Sequence, residues 1–366
     1  MNLQKDSQEM SLQEAPKRSL EAQELFDNWT VSASGLSEFS KSPLAFKAYK
    51  EAESSEDSDH FKLGTAIHCR VLESEEFDNR YYVMEVEPPG AETNMRIFID
   101  RYFYYITNDF DPILAKDMAY KDSGYKTKLE TVWKNFEEKE SYVEYWNALV
   151  DSEDKIVLSS KEELLIENCA KSIFNHKIAD SFLDMSPKDD IQYLTECEIL
   201  WEMKGFDFKM KSIIDRMIIN TKDKLINIID IKTTSKNVHK FQYSYKSFAT
   251  YRQLAFYGHA VMWYIENVLK EDRKDWSLTT TIIAVQTTGF NETVVYAPDP
   301  NDMMIGHREI IDLLTELNWH YENNLWEYPV NYYLSGGIVP IALDLDKYDV
   351  TREEGNVQET EGNTNN

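Results

Sequence analysis

Two aspartates and a lysine near the middle of the chain have the types and spacing to do chemistry: Asp215 in the run KSIID, and Asp230 with Lys232 in IIDIK. Both runs are rich in isoleucine and are separated by Asn220-Thr221-Lys222-Asp223, so they read as consecutive antiparallel strands. Side chains alternate along a strand, which puts Asp230 and Lys232 on one face while Ile229 and Ile231 pack behind. The pattern predicts that each acid closes its strand and that the turn brings the two ends together. Two carboxylates meeting there make a hard oxygen site suited to Mg²⁺, or to Mn²⁺ as a substitute. A lysine alongside can orient or deprotonate a water and offset phosphate charge, and a metal supplies Lewis acidity. Those are the parts that phosphodiester hydrolysis needs. In isolation the motif is short, and an Asp with a DxK at strand ends is equally the sequence of ordinary solvent-facing turns.

The flanking segments must position these groups. A third strand, ECEILWEMKGF, precedes the pair; after it come a helix, ATYRQLAFYGHAVMWYIENVL, a strand, TTTIIAVQTT, an edge segment, ETVVYAP, and a closing helix, MMIGHREIIDLLTELNWHYENN. Upstream, VSASGLSEFSKSPLAFKAYKEA reads as two short helices meeting at a turn that contains Pro43, with Ser34 and Ser37 as candidate N-caps. LGTAIHCRVLESEEF is helical, with Ile67, Val71 and Leu72 as its buried stripe. Residues 95–187 are mainly helical and aromatic-rich; Ser160 with Glu163 has capping-box spacing. The chain therefore divides into a polar tail over 1–27, a mainly helical part over 28–187, a strand-rich core over 188–350 and an acidic tail over 351–366.

A chain of 366 residues with 42% hydrophobic and 13% aromatic content can bury a large core, which excludes global disorder. The three cysteines, Cys69, Cys169 and Cys197, are scattered and suit neither a disulfide framework nor a structural zinc site. The N-terminal residues lack an apolar signal stretch and no run is long enough to span a membrane, so a cytoplasmic protein is expected. Net charge is −26, which opposes nucleic acid at first reading. The acid is unevenly spread: it crowds residues 51–59 and the C-terminal tail, whereas ten basic residues face four acidic ones between Met203 and Lys246. A locally positive cleft on an acidic body can still hold phosphates.

Several spaced motifs in order, from SASGLSEFSKSP through GTAIH, VLESEEFD, ECEILW, KSIID and IIDIKTT to YRQLAFYGHAV, resemble the RecE-type (exonuclease VIII) branch of the PD-(D/E)XK nucleases, relatives of the RecB-like and lambda-type exonucleases. The likeness runs from about Val31 to Tyr328. It implies an α/β fold with a restriction-endonuclease-like core, a central mixed β-sheet flanked by helices, and a helical N-terminal portion. It further implies that His68, Glu196, Asp215 and Asp230 hold the metal, that Lys232 is the catalytic lysine, and that Gln253 and Tyr257 form the QxxxY pair, which shares one helical face. Gly64 would let the His68 helix pack closely. Glu198 lies two residues past Glu196 and leaves the choice between them open.

By the same resemblance the chain is a Mg²⁺-dependent exonuclease that digests one strand of linear duplex DNA from 5′ ends, with duplex ends as substrate, a single-strand annealing protein as partner, a homo-oligomeric ring as the source of processivity, and a role in phage-type recombination or repair within the bacterial cytoplasm. Three cysteines cannot supply an iron–sulfur cluster, and without a Walker motif no ATP is used. Two other readings stand beside it: a structure-specific or single-strand nuclease using the same site, and a catalytically silent DNA- or protein-binding module.

Overall fold

The isoleucine-rich runs form three long antiparallel strands, β4 (Ile191–Trp201), β5 (Met210–Asn220) and β6 (Leu225–Thr234). Branched side chains are stiff at χ1 and pack well on a pleated surface, which favours this state. β7 (Ser277–Gln286) runs parallel to β6, and β8 (Thr293–Tyr296) returns antiparallel at the edge. A two-residue strand, β1 (Val31–Ser32), pairs parallel with Met210 and Lys211 at the start of β5. The mixed sheet thus has the order β1-β5-β6-β7-β8, with β4 along the opposite edge of β5. The computed structural model describes residues 29–52, 59–90, 93–152 and 155–338; the two tails and most of the acidic 51–59 segment lie outside them.

Helices cover both faces of the sheet. The parallel connection from β6 to β7 needs a crossover, supplied by α11 (Phe241–Ser247) and α12 (Thr250–Tyr264). On that face Leu254, Phe256 and Val261 of α12, with Ile310 and Leu314 of α13 (Pro300–Asn323), pack against Met217, Ile226 and Ile228. α1 (Ala33–Phe39) and α2 (Pro43–Glu51) join the same core through Leu36, Phe39 and Phe46. On the other face α3 (Asp59–Leu72) and α9 (Ser160–Asn175) set Ile67, Val71, Ile166 and Ile173 against Ile229, Ile231 and Ile283. α4 (Phe77–Arg80) leads into a small parallel pair, β2 (Tyr81–Met84) and β3 (Ile156–Ser159). Between those strands α5 (Asn94–Thr107), α6 (Pro112–Asp122), α7 (Leu129–Glu138) and α8 (Glu140–Asp151) enclose a separate core around Phe98, Val132, Phe136 and Tyr145. Two short helices, α10 (Lys177–Leu183) and α14 (Val330–Leu334), complete the described residues. None of the helices there is long and apolar enough to cross a membrane.

Three local expectations are revised. The caps are Ser32 and Ser42, whose hydroxyls accept the N–H groups of Gly35 (3.1 Å) and Ala45 (3.0 Å), rather than Ser34 and Ser37. Pro43 at the first helical position pushes Ser42 into extended backbone, which is what a cap requires. The capping box is Ser159 with Glu162, because Ser159 is the last extended residue of β3. At Gly64 an added Cβ would sit 3.4 Å from the Thr233 hydroxyl, at the limit of ordinary contact, so packing alone does not demand glycine.

Gly306 is a different case. A Cβ there would lie 2.9 Å from both the Tyr251 carbonyl oxygen and the Ala255 Cβ, so α12 and α13 touch only because this side chain is absent. Gly306→Ala must push the two helices apart at an overpacking cost of about 1–3 kcal/mol; the expected outcome is a fall in Tm by thermal denaturation. At the same crossing His259 stacks on Trp201 and its Nε2 lies 2.7 Å from His307 Nδ1. Burial, then His307 and Arg273, push its pKa down to about 4. The unfolded imidazole binds a proton near 6.5 and the folded one only near 4, so this group removes stability as pH falls through that window. Relative to wild type, His259→Gln should gain Tm between pH 6.5 and 4, and scanning calorimetry at several pH values checks it.

Candidate active site

The two aspartates sit inside their strands, not at the ends. β5 runs five residues past Asp215 and β6 four past Asp230, and the hairpin turn lies at the far end of the ladder, beside Asn220 and Leu225. What brings the acids together is a fork. The β5–β6 ladder stops at Arg216↔Ile229, one pair before Asp215 and Asp230 would meet, and from there β6 pairs only with β7. Freed from the ladder, the Ile231 N–H donates to Asp215 Oδ2 at 2.6 Å instead of to a backbone carbonyl.

The next strand is interrupted at the same level. β4–β5 pairing passes from Thr195↔Arg216 to Cys197↔Ile214 and skips Glu196 and Asp215. Glu196 adopts φ +45°, a left-handed conformation that a residue with a β-carbon pays for. The consequence shows in both strands: Met210 and Ile214, then Met217 and Ile219, face the same core, so the inward parity of β5 changes across the break. β4 changes likewise between Leu194 and Cys197.

Glu196, Asp215 and Asp230 therefore occupy opposed positions on three neighbouring strands. His68 reaches them from α3, its Nδ1 3.6 Å from Asp215 Oδ2. One donor atom each from His68, Glu196 and Asp215 lie within 4.8 Å of one another. Asp230 is outside that trio: its Oδ1 accepts from Lys232 Nζ at 2.9 Å, and its Oδ2 is fully buried without a hydrogen-bond partner. Glu198 is drawn off to Lys211, 2.7 Å away on the exposed edge. Gln253 and Tyr257 share a face of α12, as their spacing implies, and the Gln253 amide donates to the Tyr257 hydroxyl at 2.7 Å.

Electrostatics tie these groups into one site. Burial, then Asp215, pushes the Glu196 carboxyl above the usual range, against the pull of His68. Burial also raises Asp230; Lys232 opposes that and Asp215 adds to it. For Lys232, burial works against the charged form, but Asp230 and Asp215 outweigh it and hold the ammonium above its ordinary value. Burial, followed by the same two aspartates, keeps the proton on the Tyr257 hydroxyl. A buried carboxylate oxygen with no donor, beside three mutually close oxygen and nitrogen donors, is an arrangement that a cation would satisfy; oxygen-rich with one imidazole, it suits Mg²⁺ or Mn²⁺ rather than a thiolate-seeking ion. The site opens into a cleft of about 780 Å³ bordered by Gly64, His68, Glu196, Thr233 and Phe248. Thr233 and Phe248 were not among the residues singled out from sequence. Thr233 follows directly on the DIK run, while an aromatic residue between two helices carries no periodic signal.

A mixed sheet that forks at paired acids, with helices on both faces, defines the restriction-endonuclease-like class of folds. The sequence matches the PD-(D/E)XK nuclease superfamily over residues 30–317, and the chain belongs to that superfamily. No curated protein matches it. Among solved structures, a candidate exonuclease from Eubacterium rectale shares 10% identity at a TM-score of 0.33, over 72% of this chain and 98% of that one.

Without a cation the three carboxylates repel. Glu196→Gln is therefore expected to raise the Tm of protein held in chelator, and to lose most of the stabilisation that millimolar Mg²⁺ or Mn²⁺ gives wild type, which at about 100 times Kd is on the order of 2–3 kcal/mol. Differential scanning fluorimetry with and without metal reads both effects.

Proposed function

We propose that this protein is a Mg²⁺-dependent DNA exonuclease of the RecE-like type, acting on ends of linear duplex DNA in the 5′ to 3′ direction. The observation that carries the reading is the convergence of His68, Glu196 and Asp215 beside a buried, half-partnered Asp230 and its Lys232. In this reading His68, Glu196, Asp215 and Asp230 hold the ion, whose contribution is Lewis acidity at the scissile phosphate. Asp215 is oriented by the Ile231 N–H, which fixes Oδ2, the oxygen that also lies 3.6 Å from His68 Nδ1. Lys232, protonated and 27% exposed, donates toward the incoming phosphate and is positioned by Asp230. Tyr257, kept neutral and oriented by Gln253, is a donor at the buried wall of the site.

Charge distribution supports nucleic acid as the substrate. After the catalytic strand, Lys236, Lys240 and Lys246 form no ion pair among the described residues, so their ammonium groups are available to phosphates. A silent acidic decoy would have no use for a partnerless carboxylate oxygen. Direction, ring assembly, partnership with a single-strand annealing protein and a place in phage-type recombination are parts of the proposal that the motif resemblance supports.

The test is release of nucleotides from linear duplex in Mg²⁺. Wild type should digest linear DNA and spare covalently closed circles; Asp230→Ala and Lys232→Ala should each lose about 10³-fold or more with the fold intact by circular dichroism. Digestion of closed circles would favour the structure-specific reading, and full activity in both variants would remove these residues from the mechanism. End-labelling opposite strands reports polarity in the same assay.

A further inference from the structure

Phe248 is 72% exposed, yet it borders the cleft that holds His68 and Glu196 and also a second cleft of about 260 Å³. That second cleft is bordered by Leu63, Thr233, Thr234, Ser235, Lys236 and Thr287. The ring therefore stands on the divide between the hollow that holds His68 and Glu196 and a neighbouring one bordered by hydroxyl-bearing residues and Lys236. A large apolar ring left in water at such a place has surface to bury and nothing in the described chain that buries it.

Its placement is set by strained backbone. Phe248 is the C-cap of α11, its N–H donating to the Ser244 carbonyl at 2.9 Å, and the next residue, Ala249, holds φ +49° and ψ +42°. A left-handed alanine is disfavoured by its own β-carbon. The kink nevertheless joins α11 directly to α12, so the backbone that carries the ring leads straight into the helix of Gln253 and Tyr257.

A flat apolar face flanked by an ammonium on one side and a cation-seeking acid cluster on the other matches one ligand chemistry: a planar base with an anionic phosphate at each end. Inside a duplex both faces of a base are already stacked, and at an end only the outer face of the last pair is free, so an unpaired or frayed nucleotide beside the site is the occupant that best fits the ring. We infer that Phe248 is the stacking platform for an unpaired nucleotide next to the scissile phosphate, with Lys236 receiving the adjoining phosphate. This rests on the nuclease reading for its substrate and makes Phe248 a specificity-determining residue of that site. It also implies that the enzyme engages a terminus whose last pairs have opened.

The experiment is a cycle between ring and base. Full-length wild type, Phe248→Ala and Phe248→Tyr are titrated by fluorescence anisotropy, in Ca²⁺, against a labelled duplex with a short single-stranded end, intact or carrying one abasic site at each terminal position in turn. Cleavage of the same substrates is followed in Mg²⁺. Wild type is expected to lose about tenfold in affinity at one abasic position; Phe248→Ala loses about tenfold on intact DNA and nothing further at that abasic position; Phe248→Tyr stays within about threefold of wild type. An abasic penalty that persists undiminished in Phe248→Ala, or an alanine variant that binds like wild type, overturns the inference. Should wild type bind DNA but never cut it, the nuclease reading fails while the binding cycle still decides the platform. If wild type binds no DNA at all, both fall.

Discussion

Three carboxylates placed opposite one another on adjacent strands are the constraint around which this molecule is built. Glu196, Asp215 and Asp230 would be cross-strand neighbours in an unbroken sheet, where like charges directly opposed are destabilising. Asp230 is fully buried and Asp215 nearly so, which makes the repulsion harder to screen. The chain answers with partial compensation: one backbone N–H for Asp215, one ammonium for Asp230 and an imidazole near Glu196 and Asp215. The remaining deficit is the binding capacity of the site, because a fully satisfied cluster would have no reason to take up a cation.

The sheet pays for this cluster by breaking at one level only. β5 is paired along β4 on both sides of the break, with β6 from residue 216 onward and with β1 at residues 210–211. Pairing is withheld just where the acids project. The left-handed Glu196 and the change of inward parity confine the distortion to a residue or two per strand, while isoleucine and methionine on either side keep facing the core. Such a break resembles the bulges that re-aim side chains next to active sites.

Much of this arrangement was legible in the residues. Period-two spacing put Asp230 and Lys232 on one face, four-residue spacing joined Gln253 to Tyr257, and the isoleucine runs marked three antiparallel strands with their turns. The fork was not legible, since it arises from β6 leaving β5 for β7, a pairing between segments about fifty residues apart that no local pattern encodes. For the same reason the acids read as strand ends when they are interior. Glu196 and Glu198 looked equivalent because alternation assumes unbroken pleat; the left-handed turn at Glu196 removes that equivalence. β2 and β3 escaped because four-residue strands separated by some seventy residues of helix carry too little period to stand out.

The whole-chain charge of −26 misleads for a related reason: net charge is a sum, whereas phosphate binding responds to the field at one cleft. Within the basic stretch, Lys211, Lys224 and Lys232 are spent on Glu198, Glu271 and Asp230, so the local excess is smaller than the count of residues suggests. Lys236, Lys240 and Lys246, which form no ion pair among the described residues, lie on the segment that leaves β6 and returns through α11. A protein so acidic elsewhere gains little from non-specific contact with a long duplex, since most of its surface repels phosphate. On the proposed nuclease reading, the region where these ammonium groups adjoin the acid cluster is where an end would be engaged, in preference to adhesion along the length of a duplex.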